Sequence, residues 1–172
     1  PPALPIVSAL PPQSDLIIAI CQLTSTDNTA QNLSTINQFI TAAMQHTPAP
    51  HLVALPENAL YMGSNPPVVS VEGSKVTGGG IENIISLAAQ HSVHISLGGI
   101  RTATTTSSGT VHHNTHILIS PDGNTAIYHK THLFRFDPSH HTDTEKALDE
   151  THSTAAGDRL VVATIAGVTV GL

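Results

Sequence analysis

Apolar positions along the chain fall in short blocks, and the spacing inside each block predicts its element. LIIAICQ (Leu16 to Gln22) is a continuous, β-branched run. That pattern predicts a strand buried on both faces, as parallel strands are. TSTDN then offers capping side chains. After it, Leu33, Ile36, Ile40 and Ala43/Met44 recur at helical spacing on one face. This helix is expected to end near His46, ahead of Pro48 and Pro50. HLVAL (His51 to Leu55) reads as a second buried strand, closed by Pro56. Strand, helix and strand in this order make the parallel crossover unit.

Residues 62–80 are rich in Gly, Pro and Ser and read as a long loop. Ile81, Ile84, Ile85 and Ala88 mark a second amphipathic helix. VHISLGGI (Val93 to Ile100) reads as a third strand ending in a glycine pair, and TATTTSSGT as a flexible connector. HNTHILIS and TAIYHK flank PDGN, a hairpin turn signal. Residues 131–158 form a long polar loop, a feature that is usually functional inside a compact domain. RLVVATI and VTVGL, split by Ala166-Gly167, predict a second hairpin. Residues 1–14 carry five prolines and no charge, so they read as an extended N-terminal tail. Residues 15–172 are expected to form one α/β unit, since 172 residues suit a single domain. The chain opens on Pro1 and stops on an apolar strand at Leu172, which suggests a piece of a longer protein.

Composition sharpens this picture. Hydrophobic residues make up 40% of the chain but aromatics only 3%, with no Trp, so the core must be aliphatic. Charged residues are only 10%, so a charge beside an apolar stretch stands out. Six Lys+Arg against twelve Asp+Glu give a net charge of −6. That balance lacks the basic stripe of a nucleic-acid binder and the polybasic patch of a membrane-surface protein. No apolar run approaches the ~20 residues of a spanning helix. A single cysteine excludes an internal disulfide framework and favours a reducing compartment. The cytoplasm is the expected location, with the mitochondrion as the alternative.

Three charged residues are candidates for chemistry. Glu57 follows HLVALP, at the carboxyl end of a strand, where crossover folds place functional groups. Apolar neighbours there would raise its pKa toward that of a general base; the plain alternative is a solvated loop glutamate. Lys130 ends the apolar TAIYHK strand, where it is either an oxyanion-stabilising cation or an ordinary lysine reaching water. Glu150, in ALDETHSTAAGD, is by itself an unremarkable loop residue. Cys21 sits mid-strand with no visible base and reads as a structural core cysteine. Histidines cluster at 112, 113 and 116 and again at 129, 132, 140 and 141. His112, Asn114 and His116 would share one strand face. Without a well-placed further ligand and second shell, these histidines read as polar surface rather than a metal site. Arg101, one of three arginines, is either a solvated loop cation or a partner for a substrate carboxylate.

In combination the motifs are more specific than their parts. A strand followed by LPEN, then PDGN followed by YHKTHLF, then the loop Glu150, a Gly-Asp pair and a hairpin ending VGL closely resemble the nitrilase (carbon–nitrogen hydrolase) superfamily. IAICQLTST, SLGGI, HNTHILISPDG and YHKTHLF are most similar to the deaminated-glutathione amidase branch. The resemblance runs from about Asp15 to Leu172.

It implies part of a four-layer α/β/β/α sandwich, with Glu57 and Lys130 matching the catalytic Glu and Lys and Glu150 matching a second, supporting Glu. The family's nucleophile is a cysteine in a motif of the type G-L-x-x-C-Y-D. This chain supplies Gly171-Leu172 and ends, so the nucleophile is expected beyond it, and Cys21 occupies no catalytic position of the family. The implied activity is hydrolysis of small-molecule amides, among them deaminated glutathione or ω-amides of dicarboxylates, without a cofactor or metal, in a homo-oligomer at full length. Nitrile and N-carbamyl hydrolases share the same three residues. The alternative is a non-catalytic pseudoenzyme or truncated product that acts as a binding or assembly module. The tips of Glu57 and Lys130 are expected to meet within ion-pair or one-water distance.

Overall fold

A computed structural model describes residues 15–136 and 148–172. The Pro-rich stretch 1–14 lies outside the described residues. The first crossover forms as its pattern predicts: β1 (Ile18–Ile20), α1 (Thr29–Ala43) and β2 (Leu52–Leu55), with β1 and β2 parallel. Asn28 caps α1 by accepting the Gln31 N–H through its side chain at 3.1 Å, which satisfies one of the free donors at the helix start. Asn32 is buried on the core face of α1, beside Ile36 and Ile40. Its amide donates to the Thr26 and Leu60 carbonyls at 2.8 and 3.0 Å, so a buried polar side chain ties the helix to the segment that follows Glu57.

The chain continues through β3 (Val69–Glu72), β4 (Lys75–Thr77), α2 (Ile81–His91), β5 (His94–Thr106), β6 (Gly109–Ile119) and β7 (Thr125–His129). These strands and the first two form a seven-stranded sheet. The first half of β5 pairs parallel with β2 and its second half parallel with β3, while β6 runs antiparallel along its other edge. Right-handed crossovers place both helices on one face. There Ile36, Ile40, Ile81, Ile84 and Ala88 pack with Val53, Leu55, Ile95, Leu97, Ile117 and Ile119. Each fully buried aliphatic side chain of this kind stabilises the fold by roughly 1.5–3 kcal/mol, so the layer holds together without any Trp. On the opposite face lies the hairpin of β10 (Val162–Ile165) and β11 (Val168–Gly171), whose Ile165 packs against Leu52 and Leu118. Ala166 and Gly167 both have positive φ, 49° and 80°, as a tight two-residue hairpin turn requires. The α/β class expected from the sequence is thus the class observed.

Four local expectations are corrected. β1 is not buried on both faces: it is the sheet's edge strand, with Ile18 46% and Ile20 83% exposed. The 62–80 stretch is not a loop throughout but carries the β3–β4 hairpin, with Val69, Val71 and Val76 buried. TATTTSSGT is not a connector; it is the paired end of β5 and its turn into β6. Within 131–158, short β8 (Arg135–Phe136) and β9 (Leu148–Asp149) pair, and a 3-10 turn spans Glu150–His152. Residues 137–147 of that stretch lie outside the described residues. Pairing of β3 with β5 and of β8 with β9 joins segments separated in sequence, which their short or polar local patterns do not announce.

Candidate active site

Glu57 sits in the corner that follows β2. Asn58, next to it, adopts a left-handed conformation at φ 59°, which Asn tolerates better than most residues. Its N–H donates to the Gly99 carbonyl at 2.9 Å. Gly98 and Gly99 form a bulge: the β5–β6 register passes from Leu97↔Ile117 to Ile100↔Thr115, with one extra residue on β5. Gly99 has φ +30°, and a Cβ there would collide with Glu57 Cγ and lie 2.9 Å from Asn114 Oδ1. The glycine pair is therefore the seat on which the Glu57 side chain rests.

Lys130 is held by its backbone on two sides. Its N–H donates to the Asn114 carbonyl at 2.8 Å, and its carbonyl accepts the Gly157 N–H at 2.9 Å. Its Nζ lies 3.2 Å from Glu150 Oε2 and 3.5 Å from Glu57 Oε1. Glu150 is pinned to the start of the same polar segment. Its N–H donates to the Phe134 carbonyl at 3.0 Å, and its Oε2 accepts the Phe134 N–H at 2.8 Å. The three candidates, of which Glu57 and Glu150 are 93 positions apart, thus meet around one ammonium group.

A fourth residue joins them. Asn114 Nδ2 donates to Glu57 Oε1 at 2.7 Å and to Glu150 Oε1 at 3.1 Å. From the sequence, Asn114 is only a member of a polar strand face. A detectable signal was present: Asn is disfavoured inside strands, so one embedded in HHNTHILI calls for a use of its amide.

Two carboxylates and one ammonium leave the cluster with a net charge of −1. Burial works against the charge on Lys130, but hydrogen bonding to Glu150 and attraction to both carboxylates more than offset it, holding the ammonium above the ordinary lysine value. For Glu150, burial favours the neutral acid, yet the Phe134 N–H, Lys130 and Asn114 together hold its carboxyl below the usual range. Glu57 is not in the apolar setting expected for it: its side chain is 50% exposed. Among the described residues only its Oε1 is held, by Asn114 and Lys130.

Cys21 is buried, and burial raises its thiol pKa, the opposite of what activates a thiolate. An open apolar groove of about 600 Å³ lined by Ile18, Ile20, Cys21 and Phe39 does not include the cluster. A smaller cavity of about 200 Å³ does adjoin it, through Asn114 and Glu150. His140 and His141 lie outside the described residues. His113 and His129 stack at 4.1 Å, and His116 Nε2 lies 2.9 Å from Ser96 Oγ. Among the described residues, no group of three or more His, Cys, Asp or Glu could hold a metal ion, and no helix is long and apolar enough to cross a membrane.

Comparison with known proteins agrees with this architecture. NitFhit of C. elegans is 26% identical, with a TM-score of 0.59 over 84% of this chain and 34% of its own. Nit3 of Saccharomyces cerevisiae, a member of branch 10 of the nitrilase superfamily, is 21% identical, with a TM-score of 0.61 over 87% of this chain and 53% of its own. An amidase from Nesterenkonia sp. is 17% identical, with a TM-score of 0.57 over 92% and 55%. The chain thus spans about a third to a half of the length of these solved structures. No match was found among curated proteins. The carbon–nitrogen hydrolase family model matches residues 17–172, which takes in the sheet, both helices and every member of the charged cluster; the chain belongs to the carbon–nitrogen hydrolase family.

Proposed function

We propose that the protein contributes to hydrolysis of carbon–nitrogen bonds in small-molecule amides, with Glu57 as general base, Lys130 as oxyanion-stabilising cation and Glu150 as the carboxylate that fixes Lys130. The observation that carries this reading is the convergence of Glu57 and Glu150 on Lys130 Nζ, at 3.5 and 3.2 Å. A structural ion pair needs one carboxylate. Here one is engaged through both oxygens, and among the described residues the other is held through Oε1.

The chemistry follows from these positions. A cysteine thiol gives its proton to Glu57, and the thiolate adds to the amide carbon. Negative charge develops on the carbonyl oxygen beside Lys130, whose fixed charge stabilises it. The C–N bond breaks as Glu57 returns the proton to the departing nitrogen, releasing ammonia and leaving a thioester. Glu57 then takes a proton from water, hydroxide adds to the thioester, and collapse expels the thiolate, which recovers that proton. The products are a carboxylic acid and ammonia. The thiol is assigned to the family's cysteine motif, whose first two residues match Gly171-Leu172, and not to the buried Cys21. The branch resemblance favours deaminated glutathione or ω-amides of dicarboxylates as substrates, a homo-oligomeric enzyme and a cytoplasmic or mitochondrial location.

The test is ammonia release by the product of the full coding sequence. Turnover of ω-amides, lost in folded Glu57→Gln and Lys130→Met variants, supports the assignment. A folded protein that binds amides without releasing ammonia would replace it with the binding-module reading.

A further inference from the structure

Arg101 pairs directly across the sheet with Asn114, so both side chains leave the same face with their Cβ atoms about 5 Å apart. Arg135 is bonded to Asp149 at 3.0 Å and Arg159 to Asp158 at 2.8 Å, and both are largely exposed. Arg101 is half-buried and, among the described residues, has no carboxylate partner and no side-chain hydrogen bond. It lines the cavity of about 200 Å³ that also touches Asn58, Pro66, Asn114, Glu150 and Thr154. Glu150 does not neutralise it, because both Glu150 oxygens are taken by Lys130, Asn114 and the Phe134 N–H.

We propose that Arg101 is a carboxylate-binding subsite, which selects amides whose far end carries a carboxylate. The charged cluster alone has a net charge of −1 and would repel such a substrate. Arg101 brings the local sum to zero before the ligand arrives, and its planar guanidinium offers a two-pronged match to a carboxylate. A neutral amide would have no use for it. The amide end of this ligand rests on the amidase reading of Glu57 and Lys130; the anion end rests on Arg101 alone.

Calorimetric titration of the product of the full coding sequence with glutaramate and with its uncharged analogue pentanamide tests the subsite. Glutaramate is expected to bind about 10–100-fold more tightly, the range of one charged hydrogen-bonding group. Arg101→Met should erase that preference while leaving pentanamide binding unchanged, which also shows that the variant is folded. Arg101→Lys should retain part of it. Equal affinity for the two amides, no binding of glutaramate, or a preference that survives Arg101→Met would overturn the proposal. Glutaramate held through Arg101 but never hydrolysed would keep the subsite and remove the amidase reading. Hydrolysis indifferent to the carboxylate would do the reverse.

Discussion

Asn114 Nδ2 lies 2.7 Å from Glu57 Oε1, although the two residues are 57 positions apart. The same amide nitrogen reaches Glu150 at 3.1 Å, so one strand residue sets the spacing of both carboxylates around Lys130. Asn114→Ala should lower turnover by up to about 10²-fold through misplacement of Glu57. Its stability cost should be only about 1 kcal/mol, because the bonds are partly open to water. Loss of this donor also lets Glu150 titrate higher, so the acid limb of the unfolding profile should move to higher pH. Steady-state kinetics across pH, beside thermal unfolding, would separate this from simple destabilisation.

Gly99 is the second lever on Glu57. An alanine there combines a positive φ with a collision against Glu57 Cγ. Gly99→Ala should cost about 1–3 kcal/mol of strain and displace the carboxylate from Lys130. Unfolding midpoints and the position of Glu57 in a structure of the variant would show it. An unshifted Glu57 would mean that the bulge does not seat it.

The three roles separate by substitution in the product of the full coding sequence. Lys130→Met should reduce turnover by ~10²–10³, the usual effect of losing one oxyanion-stabilising group. Glu57→Gln should reduce it by about 10²–10⁴, as loss of a general base does. Cys21→Ala should leave turnover nearly unchanged and cost only packing stability. Abolished turnover in a well-folded Cys21→Ala protein, or full activity in Lys130→Met, would reverse these assignments.

The ion cluster confines its own stabilising effect to a pH window. Glu150 is depressed in the folded chain, so its contribution is present above the ordinary glutamate value of ~4.3 and is lost as pH falls through its lower folded value. Lys130 is raised, so its contribution is complete below ~10.4 and is lost as pH rises through its folded value. Glu150→Gln should lower stability at neutral pH and flatten the acid side of the unfolding profile. An acid limb identical to that of the parent protein would contradict this.

His129 should give a separate step. Burial, then the neighbouring His113 and Arg159, push its pKa down, while its Nδ1 bonds to Thr115 Oγ1 at 2.8 Å. The unfolded chain therefore takes up a proton near ~6.5 that the folded chain refuses, and stability should fall as pH drops below that value. His129→Gln, which keeps a hydrogen-bonding side chain, should weaken this step in pH-dependent denaturant unfolding.

The local pattern determined much of the framework. Helical spacing of Ile36 and Ile40, and of Ile81, Ile84 and Ala88, placed both helices, and the PDGN and Ala166-Gly167 turns placed two hairpins, because side-chain period and turn geometry act over a few residues. The same logic put Glu57 and Lys130 at strand ends. Only the tertiary structure decided what those ends face. The edge position of β1, the β3–β4 hairpin and the length of β5 depend on which strand lies alongside, which the local pattern does not encode. The contacts of Glu57 with Lys130 and Asn114 bridge 73 and 57 positions. The glycines that leave room for Glu57 sit in a bulge that shifts the β5 register by one residue, and in a sheet one residue decides which face the following side chains, Ile100 and Arg101, occupy.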